Sequence, residues 1–412
     1  MAKAYLVSVG NEILAGQTAD TNAAWLAGRL LEKGIAVVGT SVVPDDIDAI
    51  KEALILGGRK AEVVLVTGGL GPTDDDITRD ALAGFLRVEL ELREELVERI
   101  RRFFAKRGIE MAETNKRQGI MPVGTKDIPN DLGTACGILA EKDGKIFACM
   151  PGVPVEMRKM FDEQISGELA QLDGGEVVVV RKLRCFGTGE STIADLLGDM
   201  MKRNREPLVN CTVRGGVITL HMVARGKTVA EAEKLIEPVR QDIRERLGEL
   251  VFGEDDQTLG QVVGELLAER GMTITVAESC TGGLVAKMLT DTPGSSRYFL
   301  SGWVTYSNNA KISELAVDAR LIEQKGAVSA EVAAAMAQGA RKRAGTDIGI
   351  GITGIAGPGG GTEQKPVGLV YISVDFRGDS YVERRVFSHT RELVRQRAAM
   401  VALDIVRRKL NS

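Results

Sequence analysis

The chain repeats one unit, a β-branched strand, then a polar or glycine-rich loop, then a helix, and this repeat narrows the possible folds more than any other feature. Tyr5 to Val9, Ala36 to Val43 and Val63 to Thr67 read as strands, with helical stretches from Asn22 to Lys33 and Ile47 to Leu56 between them. Strands joined through helices do not pair as hairpins, so the alternation predicts a doubly wound α/β domain: a parallel sheet with helices on both faces. Ligands of such sheets gather beyond the carboxyl ends of the strands. Two polar loops fall there, one carrying Asn11, Glu12, Asp20 and Asn22, the other Gly68, Gly69, Gly71, Thr73, Asp74, Asp75 and Asp76 ahead of a helix from Ile77. The same unit returns near the C-terminus, where Met272 to Ala277 reads as a strand and Leu284 to Leu289 as a helix. The turn between them is Glu278-Ser279-Cys280-Thr281-Gly282-Gly283.

A serine where a buried strand feeds a helix faces backbone N–H groups and the positive end of a helix dipole, which suits an oxyanion or a phosphate-bearing substrate. It also needs a base. The two histidines, His221 and His389, lie in no segment shaped like a catalytic turn, which argues against a serine-histidine-acid triad. Lys311 is the other choice: Gly302 to Thr305 is strand-like, Tyr306 closes it, Ser307 and Asn308 can cap, and Lys311 opens the next helix. A helix N-terminus disfavours a cation, and work near neutrality needs a lysine pKa lowered from about 10.4 to about 7, at a cost of about 4 kcal/mol. Tyr306 could relay the proton. The competing reading makes Ser279 an N-cap and Lys311 a solvated helix residue. Cys280 is a rival nucleophile, since a helix N-terminus lowers a thiol pKa. The glycine-rich loop from Gly351 to Gly361, with Gly354 and Gly357, follows a strand from Asp347 to Ile352 and can bring backbone amides close to a phosphate.

Five blocks in order, Ala277 to Gly283, Val304 to Asn308, Gly326 to Ser329, Gly354 to Pro358 and Lys365 to Gly368, resemble the nicotinamide-nucleotide amidase domain of the CinA family. The resemblance implies hydrolysis of nicotinamide mononucleotide to nicotinate mononucleotide and ammonia, with Ser279, Tyr306 and Lys311 catalytic and no cofactor. It further implies an arginine, placed on Arg391 with Arg395 as the alternative, and a substrate wall of Thr281, Gly282, Gly283, Gly354 and Gly357. Gly10 to Glu12, Asp20 to Asn22, Thr67 to Thr73 and Pro151 to Met157 resemble the N-terminal domain of the same family, similar in fold to molybdopterin-binding proteins. That implies a metal-dependent ADP-ribose pyrophosphatase whose pocket holds Asn11, Glu12, Asp20, Asn22, Gly68, Gly69, Gly71 and Thr73. Asp75 and Asp76 would contact a divalent cation (Mg, Mn or Co). The three aspartates have a structural reading too, with Asp74 as N-cap and the other two favouring the first helical turn. The pattern departs from the family at Asp131 and Cys136, where prolines are usual. A molybdopterin carrier and a nucleotide sensor linked to competence and DNA damage are the further readings.

At 412 residues the chain predicts more than one domain, set at 1–172, 173–254 and 255–412. The middle segment reads strand (Glu176 to Cys185), helix (Glu190 to Met201), two strands (Leu208 to Val213, Val217 to Ala224) and a helix from Val229 to Leu247 interrupted at Pro238, an α+β order that resembles a KH-like domain. It lacks a Gly-x-x-Gly clamp between its helices and has few aromatics, so RNA binding is not expected; spacing the outer domains, in a homodimer, is. A net charge of −4 makes no electrostatic case for nucleic acid or membrane surfaces. No apolar run reaches the length of a membrane span, and Met1 to Tyr5 leads into a strand, so a cytoplasmic protein is expected. Five scattered cysteines without a Cys-x-x-Cys pair support neither disulfides nor a cysteine zinc site.

Overall fold

A computed structural model describes residues 2–169, 172 and 177–412, which form two compact units: 1–179 with 225–233, and 180–224 with 234–412. Residue 173, at the expected first domain boundary, and Glu176, the expected start of the first strand of the middle module, lie outside the described residues, as does Met1.

In the first unit, strands β1 (Lys3–Val9), β2 (Ala36–Val43), β3 (Val63–Thr67), β4 (Lys126–Ile128), β5 (Gly137–Lys142) and β6 (Lys145–Met150) make a six-stranded sheet in the order β2-β1-β3-β6-β5-β4. The first four are parallel; β5 and β4 run antiparallel. This edge corrects the expectation of a parallel sheet. Its cause is Asp143-Gly144, both left-handed (φ 51° and 69°), which close a two-residue hairpin between the paired Lys142 and Lys145. Helices α1 (Thr21–Glu32), α2 (Ile47–Lys60), α3 (Thr78–Leu86) and α4 (Pro154–Met160) cover the sheet. Because side chains alternate along a strand, Tyr5, Val7 and Val9 pack with Ile50 and Leu54 of α2 and Leu82 of α3, while Ala4 and Leu6 pack with Leu26 and Leu30 of α1 and Met157 of α4. Helices thus lie on both faces.

The KH-like module has β7 (Val177–Cys185), α5 (Glu190–Leu197), β8 (Leu208–Arg214), β9 (Val217–Gly226), α6 (Val229–Leu247) and β10 (Val251–Glu254), with sheet order β8-β9-β7-β10. Two expectations change. The first helix stops at Leu197 and tightens into a 3₁₀ turn through Met201, where Gly198 takes φ 52°. The second runs unbroken through Pro238, whose missing N–H removes one internal bond without ending the helix. Strand β10 was not foreseen; Val251 pairs with Cys185.

The C-terminal domain adds α7 (Leu259–Glu269), β11 (Ile274–Glu278), α8 (Leu284–Thr290), β12 (Phe299–Val304), α9 (Asn308–Leu315), α10 (Ala330–Ala344), β13 (Ile348–Gly354), β14 (Leu369–Phe376), β15 (Asp379–Val386) and α11 (Arg391–Asn411). Its sheet has the order β12-β11-β13-β14-β15, parallel across the first three strands and antiparallel beyond. Val276, Ile348 and Ile350 pack with Val263 of α7, Val285 of α8 and Ala398 and Ala402 of α11, and Ala277 faces Val332 and Met336 of α10. Among the described residues, no helix is long and apolar enough to cross a membrane.

Leu65, fully buried at the centre of β3, tests the first unit. Leu65→Ala is expected to destabilise it by about 2–5 kcal/mol, because the lost contacts leave a cavity that the sheet cannot close. A lowered urea midpoint in the fluorescence of Trp25, which packs edge-on against Phe161 in the same unit, is the readout.

Candidate functional site

The turn from β11 to α8 is built around a buried acid. Glu278 is 1% exposed, and its carboxylate accepts hydrogen bonds from the backbone N–H groups of Gly283 (2.9 Å), Val285 (3.2 Å) and Ala286 (2.9 Å). Gly282 and Gly283 take φ values of 59° and 92°, which the sharp turn needs and residues with a Cβ resist. Two sequence-based expectations fall here. The N-cap position of α8 belongs to Gly283, so Ser279 is not a cap. The amides of Gly283, Val285 and Ala286 are also not free for an oxyanion, because the Glu278 carboxyl group already holds them. The signal was present as an acid at the end of a strand just ahead of a helix, a position that the dipole favours.

Ser279 itself is fixed by its N–H, which donates to the Ile352 carbonyl of β13 at 3.0 Å. Its hydroxyl meets Lys311, which α9 delivers from below: Ser307 caps that helix by accepting from Ala310 N, and Lys311 is 1% exposed. The lysine Nζ lies 3.2 Å from Ser279 Oγ, 2.8 Å from the Thr305 carbonyl and 3.4 Å from the Tyr306 carbonyl. Carbonyls only accept. A neutral amine with two N–H bonds directed at them turns its lone pair to the serine hydroxyl, the arrangement of a general base. Burial lowers the Lys311 pKa, and nearby Cys280 only partly opposes the shift. The reading of Lys311 as a solvated helix residue is therefore overturned. So is Cys280 as nucleophile: it is 5% exposed and burial pushes its thiol up to about 12, a shift to which neighbouring Glu278 adds.

Both candidate arginines reach the site, from successive turns of α11. Arg391 donates to the Tyr306 hydroxyl at 2.9 Å and to the Gly357 carbonyl at 2.7 Å; Arg395 donates to the Thr281 carbonyl at 2.8 Å. Tyr306 is 59% exposed, so its phenol stands at the mouth of the site, oriented by Arg391. Thr281 is fully buried, yet its hydroxyl has no partner. The glycine loop does something other than expected. Gly354 is the last residue of β13, paired with Val370, and a Cβ there would sit 2.6 Å from the Leu369 carbonyl, so close strand packing explains it. Gly357 offers a carbonyl to Arg391, where an amide aimed at a phosphate was expected.

In the first unit a cavity of about 540 Å³ opens at the carboxyl ends of β1 and β3, and Glu12, Asp20, Asn22, Gly68, Gly69, Gly71, Asp75 and Asp76 line it. Asn11 and Thr73 are not in its lining: the Asn11 N–H donates to Asp45, and Thr73 donates from both its N–H (2.9 Å) and its hydroxyl (2.6 Å) to Asp76. Asp20 caps α1 and accepts from Ser8, and Asn22 donates to the Gly152 carbonyl while its own buried Oδ1 lacks a partner. The capping role expected of Asp74 is corrected, since α3 starts at Thr78 behind Ile77 and Asp74 pairs with Arg117 at 3.1 Å.

Arg79, missed by the sequence reading, is 2% exposed directly behind the glycine loop and donates to the Leu70 and Gly71 carbonyls; burial lowers its pKa. A cation in the first turn of a helix opposes the dipole, and that local conflict was its signal. Among the described residues no three His, Cys, Asp or Glu side chains gather as a metal site. Asp75 and Asp76 therefore do not make a closed protein cage. They fit only a cation that brings most of its oxygen ligands with it, as magnesium does with phosphates.

These features define a class: a multidomain α/β protein with a buried serine-lysine dyad in one unit and a glycine-lined, carboxylate-rich cavity in the other. The chain belongs to the CinA family. Residues 5–171 match the model of a probable molybdopterin binding domain, 180–253 that of the damage-inducible protein CinA KH domain, and 256–410 that of the CinA C-terminal domain. It is 43% identical over 411 residues to a competence-damage inducible protein of Moorella thermoacetica, covering 100% of this chain and 99% of that one. It is 43% identical over 406 residues to a CinA-like protein of Dictyoglomus thermophilum, covering 98% of each. A crystal structure of the competence damage-inducible protein A of Klebsiella pneumoniae is 36% identical over 37% of this chain and 95% of that chain, with a TM-score of 0.37.

Removing the acid under the serine turn should loosen it. Glu278→Ala leaves three N–H groups without their acceptor and is expected to cost on the order of 3 kcal/mol. Hydrogen exchange at the amides of Gly283, Val285 and Ala286 reads the loss directly; unchanged protection there would show that another group takes over the cap.

Proposed function

We propose that the C-terminal domain is an acyl-transfer amidohydrolase that converts nicotinamide mononucleotide to nicotinate mononucleotide and ammonia. One observation carries this reading: the Lys311 amine is buried between two carbonyl acceptors with Ser279 Oγ as its third neighbour. Ser279 Oγ attacks the carboxamide carbon and its proton passes to Lys311. The C–N bond then breaks as Tyr306, oriented by Arg391, relays the proton held by Lys311 to the leaving nitrogen, which departs as ammonia; water, giving a proton to Lys311, then hydrolyses the acyl-serine to the carboxylate, and Lys311 returns that proton to Ser279. Arg391 and Arg395 keep N–H groups beyond those engaged with protein, since each guanidinium carries five, and these are available to substrate phosphate or the developing oxyanion. The family membership and the resemblance of the serine blocks support the choice of substrate.

For the N-terminal domain we propose ADP-ribose pyrophosphatase activity. The glycine-lined cavity, with Arg79 behind the loop, supports a diphosphate-bearing ligand, and the unpartnered Asn22 Oδ1 in its wall, an acceptor, suits a hydroxyl donor such as that of a ribose. Asp75 and Asp76 would hold a divalent cation arriving with the substrate, which would polarise the phosphoryl oxygens.

Ser279→Ala is expected to lower ammonia release from nicotinamide mononucleotide by about a thousandfold or more, while Cys280→Ala keeps it. The wild-type rate should rise with pH as Lys311 loses its proton, and the midpoint should fall below the ordinary lysine value because burial favours the neutral amine. Lys311→Arg retains charge without giving a neutral base and should be inactive across that range. Near-normal turnover in Lys311→Arg would reassign the base. Chelation with EDTA is expected to stop ADP-ribose hydrolysis and leave ammonia release unchanged, and equal sensitivity of the two reactions would remove the division of labour between the domains.

A further inference from the structure

In the second unit, a cavity of about 800 Å³ lies between the KH-like module and the outer face of the C-terminal domain. Its size falls within the range of about 300–1,000 Å³ typical of small-molecule sites. Phe186, after β7, and Tyr381 and Phe387, from β15 and the segment behind it, supply aromatic surface. Helix α11 supplies another wall. Arg391 and Arg395, one turn apart, serve the serine turn, whereas Arg397, Val401 and Asp404 fall on a different face of the helix and line the cavity.

The charges of this cavity are settled with one exception. Glu383 pairs with Arg385, Asp404 with Arg407 and Arg408, and Glu190 accepts from the Cys211 thiol; Glu249 lies 3.7 Å from Arg408 and Lys409 lies 3.7 Å from Asp379. Among the described residues, Arg397 is the lining cation with no carboxylate partner. Its Nε is shut off from solvent and has no acceptor. The guanidinium lies over Gly216 in the β8–β9 turn, where a Cβ would sit 3.3 Å from that Nε. The buried Nε is out of a ligand's reach, but among the described residues the terminal N–H groups of Arg397 make no hydrogen bond or ion pair, and a guanidinium lining a cavity with such donors unused is the chemical complement of an anion.

We infer that this cavity is a second ligand site, separate from the serine turn, for a small phosphorylated molecule with a flat aromatic body, of nucleoside-monophosphate size: the anion meets Arg397 and the ring lies against Phe186, Tyr381 and Phe387. The inference does not depend on the reaction proposed for Ser279.

Calorimetric titration of the full chain tests it, with AMP as probe and adenosine and inorganic phosphate as separate arms. AMP is expected to fill a site that Arg397→Met weakens about tenfold or more, as loss of a charge-assisted hydrogen bond does. Val213→Trp, at the exposed rim, should block the same site. Adenosine and phosphate alone should each bind more weakly than AMP by a similar factor. Isotherms that match wild type in number of sites and affinity for both variants overturn the inference, as does phosphate binding as tightly as AMP. Should Arg397→Met fail to fold, the Val213→Trp isotherm decides alone.

Discussion

The buried amine of Lys311 is the constraint on which the C-terminal domain turns. A lysine nitrogen nearly without solvent is tolerable only with every remaining N–H directed at an acceptor, and here Thr305 and Tyr306 present two carbonyls at the end of an edge strand. That requirement fixes where β12 must stop and where α9 must begin, so the strand end, the Ser307 cap and the lysine form one piece. Ser279 is held independently, by the pairing of its N–H with β13. The serine and the lysine therefore reach one another from anchors on either side of β11, and their separation is set by the spacing of strands in a sheet, which is far stiffer than any loop.

Glu278 and Arg79 show the same principle with charges. Each is a buried ion whose hydrogen bonds run to backbone next to a ligand-facing loop: Glu278 to the amides of the serine turn, Arg79, through its terminal nitrogens, to the carbonyls of the Gly68 loop. Neither would survive burial without those partners. They shape the loops from behind and leave the front to other side chains, so the two sites, on unrelated sheets, are stiffened in the same way.

Much of this was legible in the sequence. Strand and helix periodicity located the sheets, the Ser307-Asn308 cap located α9, and the spacing from Ser279 to Lys311 is what a strand-helix-strand return needs to bring two side chains together. What failed to show did so for physical reasons. Composition cannot distinguish a solvated lysine from a buried one, because burial is set by what packs over it, here from distant parts of the chain. The roles of the glycines were misread because a glycine permits several close approaches: Gly354 serves strand pairing and Gly357 turns its carbonyl to Arg391. Asp74 to Asp76 looked like a helix start because acids favour that position, yet Thr73 and Arg117 compete for the same carboxylates and move the helix to Thr78. The antiparallel edge was encoded in Asp143-Gly144, a two-residue signal easily lost beside the long parallel pattern.

Closing the start of α8 with Glu278 has a consequence for turnover. An open helix end is a good resting place for any carboxylate, and a reaction that turns a neutral carboxamide into an acid would leave its own product there. The internal acid already fills that seat and repels a second one. Under the proposed reaction, the acid leaving Ser279 would thus find no anchor at the amides that Glu278 holds, and the site would clear for the next substrate.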